Sequence, residues 1–96
     1  MICIELIKLK TGTALGVKIE LGAAPLVLIK AEKGFAMCGY LNIETANKLG
    51  DCAVVAKGVK SFEDMLNAKA IDVSEAAVRL GIKEGMTCRE ALEKMF

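Results

Sequence analysis

The 96-residue sequence contains no histidine. That absence excludes a Cys–His or Ser–His–Asp nucleophile and any histidine-ligated metal site, in one subunit or in a homo-oligomer of it. Cys3, Cys38, Cys52 and Cys88 lie far apart, and no two of them form a C-x-x-C pair. Their spacing fits neither a zinc ribbon nor a redox dithiol, so no metal and no cofactor is expected. Runs of one charge sign are also missing, with 13 basic and 12 acidic residues interleaved to a net charge of +1. This balance gives no electrostatic footprint for nucleic acid or an anionic membrane. The apolar N-terminal run is broken by Glu5, Lys8 and Lys10, which argues against a signal peptide or a membrane span. A cytoplasmic protein is the expectation, and a reducing setting would leave the four thiols free.

Apolar side chain, by contrast, is abundant. Hydrophobic residues make up 54% of the chain and nine glycines add to them. Roughly 45–50% for the two together is usual in a soluble domain. A single domain of this length has a large surface for its volume, so part of the excess must reach the outside. Exposed apolar surface of that kind predicts self-association into a homo-oligomer.

The pattern along the chain is α+β. Residues 2–10 read as a strand, Thr11-Gly12-Thr13 as a turn and residues 14–21 as a second strand, together a hairpin. In the second strand Leu15, Val17 and Ile19 share one face. In the first, the apolar set changes parity from Ile2, Ile4 and Leu6 to Ile7 and Leu9. Either a bulge shifts the register or both faces are covered. Residues 26–29 read as a third strand, and residues 34–41, uncharged throughout, as a fourth buried on both faces. Asn42 then caps a helix of about Ile43–Leu49, with Gly50 at its left-handed end. Residues 52–56 form a further buried strand, parallel to the fourth through the helical connection.

The last third is mainly helical. Ser61 caps a helix that turns Phe62, Met65 and Leu66 inward, and another spans about 74–80. Thr87-Cys88-Arg89-Glu90 is a capping box, and Cys88, Ala91, Leu92 and Met95 face inward after it. The organisation expected is one domain: residues 1–24 a β-hairpin for oligomerisation, and residues 25–96 an α/β body. A small mixed sheet is packed with C-terminal helices.

If the fourth and fifth strands are parallel, their carboxyl ends meet at one sheet edge, the usual place for a ligand. Cys38, Gly39 and Asn42 then lie near Lys57, Gly58, Lys60 and Ser61. Gly58 lets a ligand approach the backbone, the helix after Ser61 offers N–H groups, and the two lysines favour a phosphate or carboxylate. The plainer alternative is a glycine turn, an ordinary cap and two solvated lysines. Cys38 is the candidate catalytic residue, since a thiol near a helix N-terminus and a lysine gains nucleophilic character. Its alternative is a buried cysteine acting as a small hydrophobe. The carboxylate pairs Glu63-Asp64 and Glu90/Glu93 read as solvated helix faces. Residues 72–95 resemble a helix-turn-helix at Ala77, Leu80, Gly81 and Ile82. They depart from it at Thr87 and Glu90, where buried apolar residues are needed.

Three stretches together resemble a known family. They are Gly34-Phe35-Ala36-Met37-Cys38-Gly39-Tyr40-Leu41, then Gly58-Val59-Lys60-Ser61-Phe62-Glu63-Asp64-Met65-Leu66, then Leu80-Gly81-Ile82-Lys83-Glu84-Gly85-Met86-Thr87. The family is the YunC-like group of small bacterial and archaeal proteins, a domain of unknown function. The resemblance covers about residues 25–95, and the N-terminal hairpin only by its strand character. It implies an N-terminal β region that mediates tetramer formation, and it implies no chemistry. Where the resemblance implies a glycine after Gly85-Met86-Thr87 this chain has Cys88, which lends Cys88 no role.

Three functional readings follow. The first is a non-catalytic, oligomeric small-ligand-binding or interaction protein whose ligand is a small anion. The second is a thiol-dependent enzyme using Cys38 near Lys57 or Lys60. The third, DNA binding, is disfavoured by the mixed charge around Arg89, Glu90, Glu93 and Lys94.

Overall fold

A computed structural model describes all 96 residues. Six strands form one sheet in chain order: β1 (Ile2–Lys8), β2 (Thr13–Glu20), β3 (Pro25–Lys30), β4 (Gly34–Met37), β5 (Cys52–Val55) and β6 (Asp72–Val73). Four short helices complete it: α1 (Ile43–Leu49), α2 (Phe62–Asn67), α3 (Glu75–Arg79) and α4 (Cys88–Glu93). Neighbouring strands are antiparallel except β4 and β5, which α1 joins as a parallel pair. The class is α+β with a mixed sheet.

The parity change in β1 has no bulge behind it. Its register against β2 runs unbroken from Ile2 opposite Ile19 to Lys8 opposite Thr13. Ile7 and Leu9 pack against the main core, while Ile2, Ile4 and Leu6 project from the opposite face at 64%, 67% and 73% exposure. Both faces of the strand are therefore apolar, the inner one packed and the outer one exposed. Val17 and Ile19 continue the outer face on β2 and are half-buried. Proline opens β3, where a missing N–H is tolerated.

The uncharged run 34–41 is a strand for only half its length. β4 stops at Met37, and Cys38 to Leu41 form a turn closed by the Leu41 N–H on the Cys38 carbonyl, 3.1 Å. Tyr40 is 52% exposed and Leu41 37%. The chain must turn here for Asn42 to reach the start of α1, where its Oδ1 accepts the Glu44 N–H at 2.7 Å. Gly50 ends the helix at φ 75°, a conformation that glycine adopts at little cost.

The parallel pair is sandwiched. Met37, Ala53 and Val55 face α1, with Ala46 completing a small cluster. On the other side Ala36, Val54 and Ala56 join Met65 and Leu66 of α2, Ala77 of α3, and Cys88, Ala91 and Leu92 of α4. Full burial of a side chain such as Leu92 stabilises the fold by about 1.5–3 kcal/mol relative to exposure. Gly34 permits the close strand contact, since a Cβ there would stand 2.4 Å from the Cys52 carbonyl oxygen. Helix α1 covers the outer face only over the parallel pair. Nothing in the chain covers Ile2, Ile4 and Leu6 on β1.

Two polar side chains tie distant segments. Buried Ser74, the α3 cap, accepts the Ala53 N–H of β5 at 2.9 Å and the Ala77 N–H at 3.3 Å. The Glu93 carboxylate of α4 accepts from the Lys10 N–H at 3.0 Å, the Thr11 N–H at 2.8 Å and the Thr11 hydroxyl at 2.6 Å. These bonds hold the β1–β2 turn against the end of α4. Glu90 in turn closes the capping box with Thr87. Glu90 is exposed and closes the expected box, whereas Glu93 has long-range partners that helix periodicity does not suggest.

Candidate functional site

At the carboxyl end of the parallel pair three segments surround an open cavity of about 320 Å³. The β2–β3 turn supplies Ala24 and Pro25, the turn after β4 supplies Cys38, Gly39 and Tyr40, and the segment after β5 supplies Lys57 through Lys60. Local sequence explains the arrangement. Gly58 takes φ 74° and so bends the chain away from β5. The Tyr40 hydroxyl donates to the Ala24 carbonyl at 3.1 Å, pinning one turn to the other. A Cβ on Gly39 would meet the Lys57 stem at 3.4 Å, so the lysine's methylenes lie along the glycine. That contact fixes where the ammonium emerges.

A second open cavity of about 370 Å³ adjoins the first and shares Gly39, Tyr40 and Lys57 with it. Asn42 and Ile43 at the start of α1 form one wall, and Val55, Ile71 and Asp72 the other. Small-molecule sites usually span about 300–1,000 Å³, so both hollows are of small-ligand size.

The charges matter more than the volumes. The single ion pair in the structure joins Lys18 to Glu20 at 3.5 Å on β2. Lys57 and Lys60 therefore stand at the cavity without a carboxylate partner. An ammonium beside an apolar wall and without a counter-ion attracts an anionic group.

Of the residues singled out in the sequence, Cys38, Gly39, Lys57, Gly58 and Lys60 line the first cavity, and Asn42 lines the second. Ser61 lines neither. Its Oγ accepts the Asp64 N–H at 3.0 Å while the Asp64 carboxylate accepts the Lys60 N–H at 3.1 Å. The Ser61 cap thus takes one N–H of the first turn of α2, and no residue of α2 lines either cavity. Cys38 is 4% exposed, and its Sγ accepts the Val27 N–H at 3.3 Å. Burial pushes the Cys88 thiol up to about 11 and raises that of Cys52. No three His, Cys, Asp or Glu side chains gather where a metal ion could sit. No helix is long and apolar enough to cross a membrane.

Pro25, Tyr40, Val59 and Asp72 escaped the sequence reading. Tyr40 was the most legible of them, because a tyrosine beside a glycine after a strand can carry its hydroxyl to a neighbouring turn. Asp72 needed the pairing of β6 with β5, which a two-residue strand does not announce.

Comparison with known proteins finds relatives over most of the chain. The family model described as a domain of unknown function, DUF1805, matches residues 37–95, from the last residue of β4 to two residues beyond α4. An uncharacterized protein of Bacillus subtilis (strain 168), YunC, is 37% identical over 84 residues, 83% of this chain and 83% of that protein. A crystal structure of a protein of unknown function from Thermoplasma acidophilum, TA1206, superposes with a TM-score of 0.95 at 45% identity. It covers 100% of this chain and 94% of that one.

Proposed function

Since the chain belongs to the DUF1805 family, a domain of unknown function, we propose that it is a non-catalytic, oligomeric protein that binds a small anionic ligand. The site is the cavity at the carboxyl end of β4 and β5. The observation that carries the reading is the pair of lysines, Lys57 and Lys60, on an otherwise apolar lining and without a carboxylate partner. Ala24, Pro25 and Val59 offer an apolar contact and the ammonium groups an ionic one. A short carboxylate with a hydrocarbon body fits both. Its binding to the folded state alone would raise the melting temperature. We expect such a rise with millimolar 4-methylpentanoate, and its loss in the Lys57→Ala/Lys60→Ala double variant. No rise in the parent protein would end the proposal.

Assembly belongs to the same reading. Ile2, Ile4 and Leu6 form an apolar strip that the chain itself leaves open. Each such side chain contributes about 1.5–3 kcal/mol when fully buried, so a second copy is the natural cover. The proposed assembly is a tetramer built through the β1–β2 hairpin, in the cytoplasm. Light scattering should give a multiple of the chain mass that falls to one chain in Ile4→Lys/Leu6→Lys. A monomeric parent protein would refute the assembly.

Cys38 in the cavity lining supports a second reading, a thiol-dependent enzyme with Lys57 or Lys60 beside the sulfur. Alkylation of native Cys38 faster than a free thiol would favour it. Its engagement by the Val27 N–H and its burial favour the binding role instead.

A further inference from the structure

The two cavities at the end of β5 share Lys57, and the second contains an acid. Asp72 lies opposite Val55 in the β5–β6 pairing, and Lys57 follows Val55 by two residues, so both line the same hollow. They do not form an ion pair with one another. One Asp72 oxygen accepts the Val73 N–H at 3.0 Å, and the other has no protein partner. The first cavity, on the far side of Lys57, is walled by Pro25, Tyr40 and Val59.

A cation, an acid and an apolar hollow thus meet around one lysine whose stem is held against Gly39. An anion that meets Lys57 from the second cavity shares that cavity with the Asp72 carboxylate, and like charges at short range repel, whereas the first cavity holds no acid. A ligand that brings its own ammonium removes that conflict and gives the free Asp72 oxygen a donor. We infer that the two cavities form one site for a zwitterionic α-amino acid with an apolar side chain. Its carboxylate meets Lys57, its ammonium meets Asp72, and its side chain enters the hollow beside Pro25 and Val59.

This assignment rests on the anion-binding role of the same cavity, and one set of titrations separates the two. Calorimetry would compare L-leucine with 4-methylpentanoate, which lacks the ammonium, and 3-methylbutylamine, which lacks the carboxylate. L-leucine should bind about tenfold or more tightly than either, the scale of one charge-assisted hydrogen bond. Asp72→Asn retains an acceptor for the Val73 N–H and should bring L-leucine down to the affinity of 4-methylpentanoate. Lys57→Met should weaken both. An unchanged melting temperature without ligand establishes that each variant is folded. Equal affinity for L-leucine and 4-methylpentanoate in the parent protein would overturn the amino-acid assignment and leave the anion site standing. No binding of either would overturn both.

Discussion

Replacing Ser74 by alanine tests the packing of β5 at a single atom. The Ser74 side chain is fully buried, and its Oγ accepts two N–H groups, from Ala53 at 2.9 Å and Ala77 at 3.3 Å. Ala53 sits on β5 at 0% exposure, so water cannot replace the lost acceptor. An orphaned buried donor costs about 1–3 kcal/mol, and a lost helix cap typically about 1 kcal/mol. The two penalties share one hydroxyl, so we expect a total of about 2–3 kcal/mol. For a domain of this length that lowers the melting temperature by roughly 8–24 °C. Urea unfolding followed by circular dichroism measures it directly. Protein concentration must be held fixed, because the proposed assembly would make apparent stability depend on it. A loss below about 0.5 kcal/mol, the range of neutral surface changes, would show that Ala53 finds another partner and refute the reasoning.

Three further outcomes follow from the same geometry. Gly34→Ala places a Cβ 2.4 Å from the Cys52 carbonyl oxygen and 2.9 Å from its Sγ; overpacking of this kind costs about 1–3 kcal/mol or more, and an unfolding midpoint equal to the parent's would contradict it. Under native conditions at pH 8, iodoacetamide should modify exposed Cys3 and leave Cys88 untouched. The Cys88 thiol is pushed up to about 11, so about one molecule in a thousand is thiolate at that pH, and peptide mass mapping reads the order. Hydrogen bonding from the Thr11 hydroxyl, then from the Lys10 and Thr11 amides, holds the Glu93 carboxyl below its ordinary 4.5. Its stabilising effect is complete above that value and is lost as pH falls through the depressed folded-state value. Glu93→Gln should therefore flatten the fall in melting temperature below about pH 4.5, and an unchanged acid limb would argue against the tether.

Local chemistry was readable wherever one residue type has one dominant use. The caps at Asn42, Ser61 and Thr87, and the left-handed Gly50, all stand where spacing places them, because each answers to backbone donors and acceptors a few residues away. The parallel pairing of β4 and β5 was likewise legible from a strand, a short helix and a strand. Apolar continuity misled at Tyr40 and Leu41, since hydrophobicity does not distinguish a buried strand from an exposed turn that follows it. Periodicity also placed Glu93 in solvent, where its real partners are the Lys10 and Thr11 amides at the other end of the chain. Contacts of that separation leave no trace in local sequence. The candidate site divides in the same way. Cys38, Gly39, Lys57, Gly58 and Lys60 follow from the ends of two strands, whereas Pro25 and Asp72 enter through neighbouring strands.

The central claim is that the lysine-bearing cavity beyond β4 and β5 takes a small apolar anion. A titration of the isotopically labelled protein with 4-methylpentanoate, followed by two-dimensional amide NMR, tests it most directly. We predict saturable shifts concentrated at Gly39, Tyr40, Gly58 and Val59, and absent in Lys57→Ala/Lys60→Ala. Spectra that do not change, or that change only at the β1–β2 hairpin, would contradict it.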